Sequence, residues 1–166
     1  INMLASKQLL LIFPFLISAV AVSCSSTRPT ADTETSATGK LIESQRFRFR
    51  AQFASPMGGR QIQLTTPYDL QITKETVRAF LPYFGVAYVA PIGTDEHGIK
   101  FTSNDFDYSL EEKKKGWRIL ILPNDARDVR RVNLSVTSSG HATLQITSNS
   151  RRSISYSGVI EPLPTR

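Results

Sequence analysis

Apolar and polar side chains alternate along most of the chain beyond residue 45. The clearest case is 46–53, where Arg46, Arg48 and Arg50 alternate with phenylalanine and alanine. Successive side chains of a β-strand point to opposite faces, so this period predicts a strand with its arginines on one face and its phenylalanines on the other. The same period recurs in the segments 61–64, 68–72, 105–111, 132–136, 142–146 and 154–160.

Turn-forming residues separate these segments. The stretches 113–116 and 138–140 each end in glycine and predict tight hairpins, and 149–150 predicts another. Pro82 has no N–H group to donate, so it has to lie at a strand end, at a sheet edge or in a bulge. About eight to nine short strands joined in this way predict an all-β domain, an antiparallel meander that forms a small barrel or a sandwich. No helix of useful length is predicted.

The first part of the chain is apolar without alternation. Lys7 is followed by the apolar run 9–22, which is short for a membrane span, and then by Cys24. A positive start, a short apolar stretch and small residues before the cut are typical of a secretory signal. Residues 1–23 are therefore interpreted as a lipoprotein signal peptide and Cys24 as the lipidated first residue, although Ala21 replaces the usual leucine. The alternatives are an ordinary cleaved signal with an incidental cysteine and an uncleaved amphipathic anchor.

A segment rich in serine and threonine separates the cysteine from the first strand. Positions 25–39 contain no large apolar side chain, so they cannot bury enough surface to offset the entropy lost on ordering. We therefore predict a lipidated flexible tether at 24–40 and a single β domain at 41–166. Ser25 and Ser26 follow the cysteine without the aspartate associated with inner-membrane retention. This favours an outer-membrane location, with the domain facing the periplasm.

The chain is basic, with a formal net charge of +6 at pH 7. Loss of Lys7 with the signal peptide lowers this charge to +5. Anionic lipid headgroups and acidic glycans are more available partners in the envelope than nucleic acid, which we do not expect this protein to bind. Arg46, Arg48 and Arg50 are the sharpest basic subset because alternation places them on one face. The competing interpretation is a solvated surface whose charges protect edge strands.

The densest aromatic cluster contains Tyr83, Phe84 and Tyr88. These rings could line a pocket or form an exposed recognition patch. Alternatively, they are core side chains around a bend at Pro82, with Gly85 supplying backbone freedom. The three aromatic residues and the three arginines together are the predicted binding surface.

Residues with catalytic or metal-binding potential are scattered. His97 and His141 have no partner at a metal-ligand spacing, which favours a polar loop and an exposed hairpin residue. Asp105, Asp107 and Glu111 alternate onto one strand face and could resemble the paired carboxylates of glycoside cleavage, although a solvated face explains them as well. We assign no catalytic, cofactor-binding or metal-binding residue and expect no cofactor.

Several short blocks carry a family resemblance. They are Phe49-Arg50-Ala51-Gln52, Leu81-Pro82-Tyr83-Phe84-Gly85, Gly98-Ile99-Lys100-Phe101, Lys114-Lys115-Gly116-Trp117, Ser139-Gly140-His141-Ala142 and Ile154-Ser155-Tyr156-Ser157-Gly158. From Phe47 onward the chain resembles a family of Bacteroidetes lipoproteins known as domain of unknown function 4251. The resemblance implies a mostly β lipoprotein of the outer membrane or periplasm. The family has no assigned activity, so the resemblance implies no catalytic residues.

The leading hypothesis is a membrane-anchored envelope lipoprotein that acts as a non-enzymatic binding or interaction module in the periplasm. Its partners would be the membrane, through the acyl anchor, and an envelope lipid, glycan or protein. Two other classes compete: a hydrolase of envelope polymers, and a structural accessory subunit of an outer-membrane complex. An interior cavity lined by aromatic side chains would favour a module that carries a hydrophobic ligand.

Overall fold

A computed structural model describes residues 31–86 and 98–164, with side chains from residue 37 onward. This part of the chain contains one helix, α1 (Ala31–Glu43), and nine strands. The strands are β1 (Phe47–Pro56), β2 (Ile62–Ile72), β3 (Val77–Pro82), β4 (Gly98–Ser103), β5 (Phe106–Lys113), β6 (Gly116–Pro123), β7 (Val129–Thr137), β8 (His141–Ser148) and β9 (Ile154–Pro162). No helix in the described ranges is long and apolar enough to cross a membrane.

The nine strands form one antiparallel sheet in the order β4-β3-β2-β1-β9-β8-β7-β6-β5. Only Asn104 and Asp105 separate β4 from β5, so the two edge strands are the halves of one bent segment. The first half pairs with β3 and the second half pairs with β6. The sheet therefore curls into a nearly closed barrel. This confirms the predicted all-β antiparallel fold.

In β1, apolar side chains point inward and arginines point outward, as predicted, up to a β-bulge. Phe47 is fully buried and Arg48 lies on the outer face. The pairing of β1 with both neighbouring strands shifts between Ala51 and Phe53. Such a bulge inserts an extra residue and changes which of the following side chains point inward. Beyond it Ala54 is buried, whereas Phe53, which the alternation assigns to the inner face, is only half-buried.

Helix α1 lies where the sequence predicts part of the tether. The predicted tether, 24–40, extends into the described residues from position 31, and there the chain is helical. Ile42 is fully buried in the core, and Thr38, about one helical turn earlier, is buried as well. Gly39 allows the helix to approach the indole of Trp117, because a Cβ atom at this glycine would lie 3.2 Å from Cζ2 of the ring. The helix thus covers one end of the barrel, which we call the helix end.

The segment that follows β3 crosses the other end of the barrel, which we call the proline end. Pro82 is the last residue of β3, as predicted for a residue that cannot donate to the ladder. The hydroxyl of the fully buried Tyr156 donates a hydrogen bond of 2.6 Å to the carbonyl of Pro82. The backbone N–H of Arg152 donates one of 3.2 Å to the carbonyl of Val86. Burial raises the pKa of Tyr156, so its hydroxyl stays protonated as a donor.

Two of the three predicted hairpin turns are confirmed. Lys113 pairs with Gly116 at the β5–β6 turn, and the residues 138–140 join β7 to β8. Gly116 and Gly140 have φ values of 147° and 81°, which favour glycine. The prediction of a tight turn at 149–150 was wrong: five residues, 149–153, connect β8 to β9. They are held instead by polar contacts of Ser150 with Asp128 and of Arg151 with the carbonyl of Gly98.

Candidate functional site

The predicted arginine face is present, but its charge is compensated. Arg48 Nη2 lies 2.7 Å from Oε2 of Glu161, and Arg50 Nε lies 2.6 Å from Oε1 of the same carboxylate. Asp69 also stands opposite Arg50 on β2. Burial opposes ionisation of Glu161, but the hydrogen bonds from Arg50 and Arg48 outweigh it and lower the pKa of the carboxyl. Arg46 is exposed just before β1.

The predicted aromatic patch divides into a structural residue and an exposed one. The hydroxyl of Tyr83 lies 2.8 Å from the carbonyl of Val86 and 3.1 Å from that of Arg152, so the tyrosine ties the two segments at the proline end together. Phe84 is 44% exposed and is available for contact. Tyr88 lies outside the described residues. Arg50 pairs with Asp69 on β2, and Asp69 pairs with Phe80 on β3, so two strand spacings separate the β1 arginines from the strand that leads to Tyr83 and Phe84.

Gly85 has a role other than the predicted backbone freedom. Gly85 does not adopt a positive φ, in contrast to Gly58, Gly116 and Gly140. A Cβ atom at this position would lie 2.5 Å from the hydroxyl oxygen of Tyr83. The glycine therefore lets the chain fold closely around that hydroxyl.

Arg151 is a structural cation at the same end. Its Nη1 donates a hydrogen bond of 2.9 Å to the carbonyl of Gly98, and its Nε lies 3.5 Å from Oδ2 of Asp128. The guanidinium carbon lies 5.2 Å from the ring centroid of Tyr83, within the range of a cation–π contact. Asp128 also accepts hydrogen bonds from the backbone N–H and the hydroxyl of Ser150. These contacts fix the link from β8 to β9 and leave Arg151 only 13% exposed.

Two other arginines flank an open groove on the outer surface. The pairing of β7 with β8 shifts between Val129 and Arg131, and this bulge leaves the neighbouring Arg130 and Arg131 both exposed. Beside them is a groove of about 540 Å³, which we call the arginine groove. Its other lining residues are Leu122, Pro123, Asn124, Ala126, Val129, Thr147 and Asn149. Neither arginine forms an ion pair within the described part of the chain.

The sequence contains a signal for this groove. In the stretch 129–134, Val129 and Val132 are separated by two arginines, where a regular strand would have one polar residue. An extra polar residue between two inward-facing side chains is the pattern of a bulge. Arg130 and Arg131 contribute to the basic excess of the sequence, but period-two reasoning alone does not distinguish them from other charged residues.

The two carboxylates that are next in sequence to the groove lining, Asp125 and Asp128, are already engaged. Asp125 accepts a hydrogen bond of 2.9 Å from the backbone N–H of Asn104, and the pKa of its carboxyl is lowered by hydrogen bonds from Ser103 and from that N–H. Asp128 is held by Arg151 and Ser150 as described above. The exposed guanidinium groups of the groove therefore form no ion pair with either carboxylate.

The three carboxylates considered for catalysis do not converge in a cleft. Asp105 Oδ1 accepts a hydrogen bond of 3.1 Å from the amide of Asn124. Asp107 and Glu111 are exposed on β5. A hydrogen bond from Lys113 lowers the pKa of Glu111, the opposite of the raised pKa that a general acid requires.

The histidines do not add a metal centre in the described region. His141 is exposed at the start of β8, and His97 lies outside the described residues. Across 31–86 and 98–164, no three His, Cys, Asp or Glu side chains are grouped so that they could hold a metal ion. Cys24 also lies outside the described residues.

Comparisons with known proteins agree with this fold. The chain is similar to a crystal structure of a DUF4251 family protein from Bacteroides eggerthii, with a TM-score of 0.57 and 14% sequence identity. The similarity covers 78% of this chain and 87% of that one, and at this identity it shows the fold alone. No curated protein matches the chain. A family model, "Domain of unknown function (DUF4251)", matches residues 30–160, most of the chain, so this protein belongs to the DUF4251 family.

Proposed function

We propose that this protein is a lipid-anchored, non-enzymatic binding module of the cell envelope that binds an acidic glycan in the arginine groove. The single observation that carries the proposal is the β7 bulge, which presents Arg130 and Arg131 side by side without an ion-pair partner in the described structure. Two adjacent guanidinium groups suit carboxylate or phosphate groups, which they bind through paired hydrogen bonds.

The arginine groove is a better candidate than the arginines of β1. Arg48 and Arg50 share Glu161, so an acidic ligand would have to displace a hydrogen-bonded carboxylate before it could bind them. Arg130 and Arg131 have no such competitor. Binding of an anion should therefore be more favourable at Arg130 and Arg131 than at Arg48 and Arg50.

The rest of the groove lining favours a sugar polymer among acidic ligands. The hydroxyl of Thr147 supplies a hydrogen-bonding group, and Leu122 supplies an apolar surface. The amide nitrogens of Asn124 and Asn149 already donate to Asp105 and to the carbonyl of Arg127, so these two side chains offer their amide oxygens as acceptors. The groove is open to solvent where β6 ends and β7 begins, so a polymer chain can reach both arginines. Acidic glycans are among the partners that a basic envelope protein meets.

A hydrolase remains the competing class, and the carboxylates give it no support. Glycoside cleavage needs two carboxyl groups on either side of the scissile bond, one of them with a raised pKa. Glu111 has a lowered pKa and is exposed beside Lys113, away from the arginine groove. A binding role requires no such pair.

The test is a binding titration with the purified full-length protein in detergent. Calorimetry with oligogalacturonate, an acidic oligosaccharide, and with maltoheptaose, a neutral one, should show binding of the acidic probe only. The double variant Arg130→Gln/Arg131→Gln should bind it about tenfold or more weakly, since hydrogen bonds to charged groups are lost. Arg60→Gln/Arg78→Gln removes the same charge from two exposed positions outside the groove, so it is the matched control and should bind as the wild type does.

Three outcomes would contradict the proposal. Equal affinity for both oligosaccharides would show that charge does not select the ligand. Absence of binding by the wild type would favour the structural accessory role, while release of reducing sugar ends during the titration would favour the hydrolase.

A further inference from the structure

We propose that the β5–β6 hairpin tip, residues 113–115, binds anionic phospholipid headgroups and so orients the domain on its membrane. We call this hairpin tip the lysine tip, after Lys113, Lys114 and Lys115. The inference rests on the lipid anchor at Cys24 in the proposed function, and it adds a second, reversible contact between the protein and the same membrane.

The lysine tip and α1 lie at the same end of the barrel. Trp117 directly follows the turn, and its indole lies against Gly39 of α1. The neighbouring β7–β8 turn is there too, since a Cβ atom at Gly140 would lie 3.4 Å from the hydroxyl oxygen of Thr38. The chain therefore enters the domain from its N-terminus beside the lysine tip.

Covalent geometry limits how far this end can be from the anchor. Cys24 precedes Ala31, the first residue of α1, by seven residues, which span at most about 25 Å when fully extended. From Ala31 to Gly39 the helix adds about 12 Å along its axis. A domain attached in this way stays near the bilayer, and its helix end is the end to which the anchor leads.

The lysine tip has charge available for anionic headgroups. Lys114 and Lys115 are exposed and have no ion-pair partner among the described residues. Lys113 contacts Glu111, whose carboxylate also lies 4.0 Å from Arg118. The two lysines at the turn itself are therefore the free charges, at the outermost point of the hairpin.

Contact through the lysine tip has a consequence for the arginine groove. Arg130 lies near the start of β7 and Thr137 at its end, where it pairs with Gly116 beside the tip. Thr137 follows Arg130 by seven positions, so Arg130 lies about 23 Å along the strand from the end that is beside the lysine tip. A domain that rests on its lysine tip directs the arginine groove away from the bilayer.

Trp117 is the only tryptophan of the chain and reports on this contact without labelling. Full-length lipidated protein is reconstituted into vesicles of phosphatidylcholine, with or without phosphatidylglycerol, that carry a headgroup-attached nitroxide quencher. We expect Trp117 fluorescence to be quenched more strongly when phosphatidylglycerol is present. Added salt should remove the difference because it screens the charges of the lysines.

The variant Lys114→Gln/Lys115→Gln should lose the phosphatidylglycerol-dependent quenching. Each lysine near an anionic surface contributes a factor of about five to association, so the docked population relative to the undocked one should fall by about 25-fold. Arg60→Gln/Arg127→Gln removes the same charge from exposed positions in the β1–β2 and β6–β7 connections, at the proline end, and is the matched control. Its quenching should equal that of the wild type.

The outcomes separate this inference from the lipid anchor. Flotation of the protein with both kinds of vesicle, combined with equal quenching in both, would overturn the lysine-tip contact and leave the anchor intact. Failure of the protein to float with either kind of vesicle would overturn the anchor and the inference together. Quenching that depends on phosphatidylglycerol but persists in the lysine variant would assign the contact to another surface.

Discussion

The hydroxyl of Tyr156 reaches from the barrel interior to the carbonyl of Pro82, 2.6 Å away, at the point where β3 ends. Tyr156 belongs to β9 and its side chain is fully buried. The bond therefore connects two strands that are not neighbours in the sheet, and it fixes the segment that crosses the proline end.

Replacing Tyr156 by phenylalanine should destabilise the protein by about 1–3 kcal/mol. The substitution keeps the ring in the core but leaves the carbonyl of Pro82 without its donor, and an unsatisfied buried acceptor costs about that much. Urea unfolding followed by circular dichroism measures the difference. An unchanged midpoint would show that water replaces the hydroxyl at no cost.

The opposite result is expected for Tyr108→Phe. The Tyr108 hydroxyl is buried without a hydrogen-bond partner in the described structure, and its burial raises the pKa of the phenol to about 12. Removing a polar group that has no partner should leave the free energy of unfolding unchanged or increase it slightly. The same urea titration compares the two tyrosine variants directly, and a loss as large as that of Tyr156→Phe would reveal a missing partner for Tyr108.

Gly158→Ala should destabilise the protein by about 3 kcal/mol or more. A Cβ atom at Gly158 would lie 2.0 Å from the carbonyl oxygen of Arg50 on β1, so the paired strands would have to move apart. Gly58→Ala is the control, because its Cβ would meet no atom within 4 Å and would cost only about 1 kcal/mol for its φ of 79°. Thermal unfolding of both variants would contradict the steric argument if their midpoints fell equally.

The contribution of Glu161 should depend on pH. Its burial is outweighed by the hydrogen bonds from Arg50 and Arg48, which lower its pKa from the unperturbed 4.5. A carboxyl with a lower pKa in the folded state stabilises the fold above the unfolded value, and this contribution is lost as the pH falls through the folded value. The free energy of unfolding of the wild type should therefore exceed that of Glu161→Gln most clearly above about pH 4.5, and the difference should shrink in acid. A difference that stays constant from neutral pH to pH 3 would show that Glu161 is not the titrating group.

The period-two pattern predicts the sheet well because each strand buries one face. It does not mark the β1 bulge, where an added residue changes which side chains point inward. The β7 bulge, which lines the arginine groove, is visible only as an extra polar residue between Val129 and Val132. Nor does the pattern predict how β4 and β5 close the barrel, since that depends on the register of strands far apart in sequence.

Helix α1 is not predicted from the sequence, for a different physical reason. Because Thr38 and Gly39 are small or polar, the sequence predicts that they belong to a solvated tether. In the structure they are buried, since their small size permits close contact with the barrel. The same limit applies to Tyr83: its aromatic character is visible in the sequence, but its structural contacts with Val86 and Arg152 depend on the fold.

Lipidation at Cys24 is the prediction on which membrane orientation depends. Cells that express the wild type and are fed a labelled fatty acid should incorporate the label into the protein, and Cys24→Ser should abolish it because no other cysteine is present. Ser26→Ala is the control and should retain the label. The Cys24→Ser variant should also lose the permanent attachment that multiple acyl chains provide. Label that persists in the serine variant would exclude Cys24 as the anchor and would leave the lysine tip without a membrane beside it.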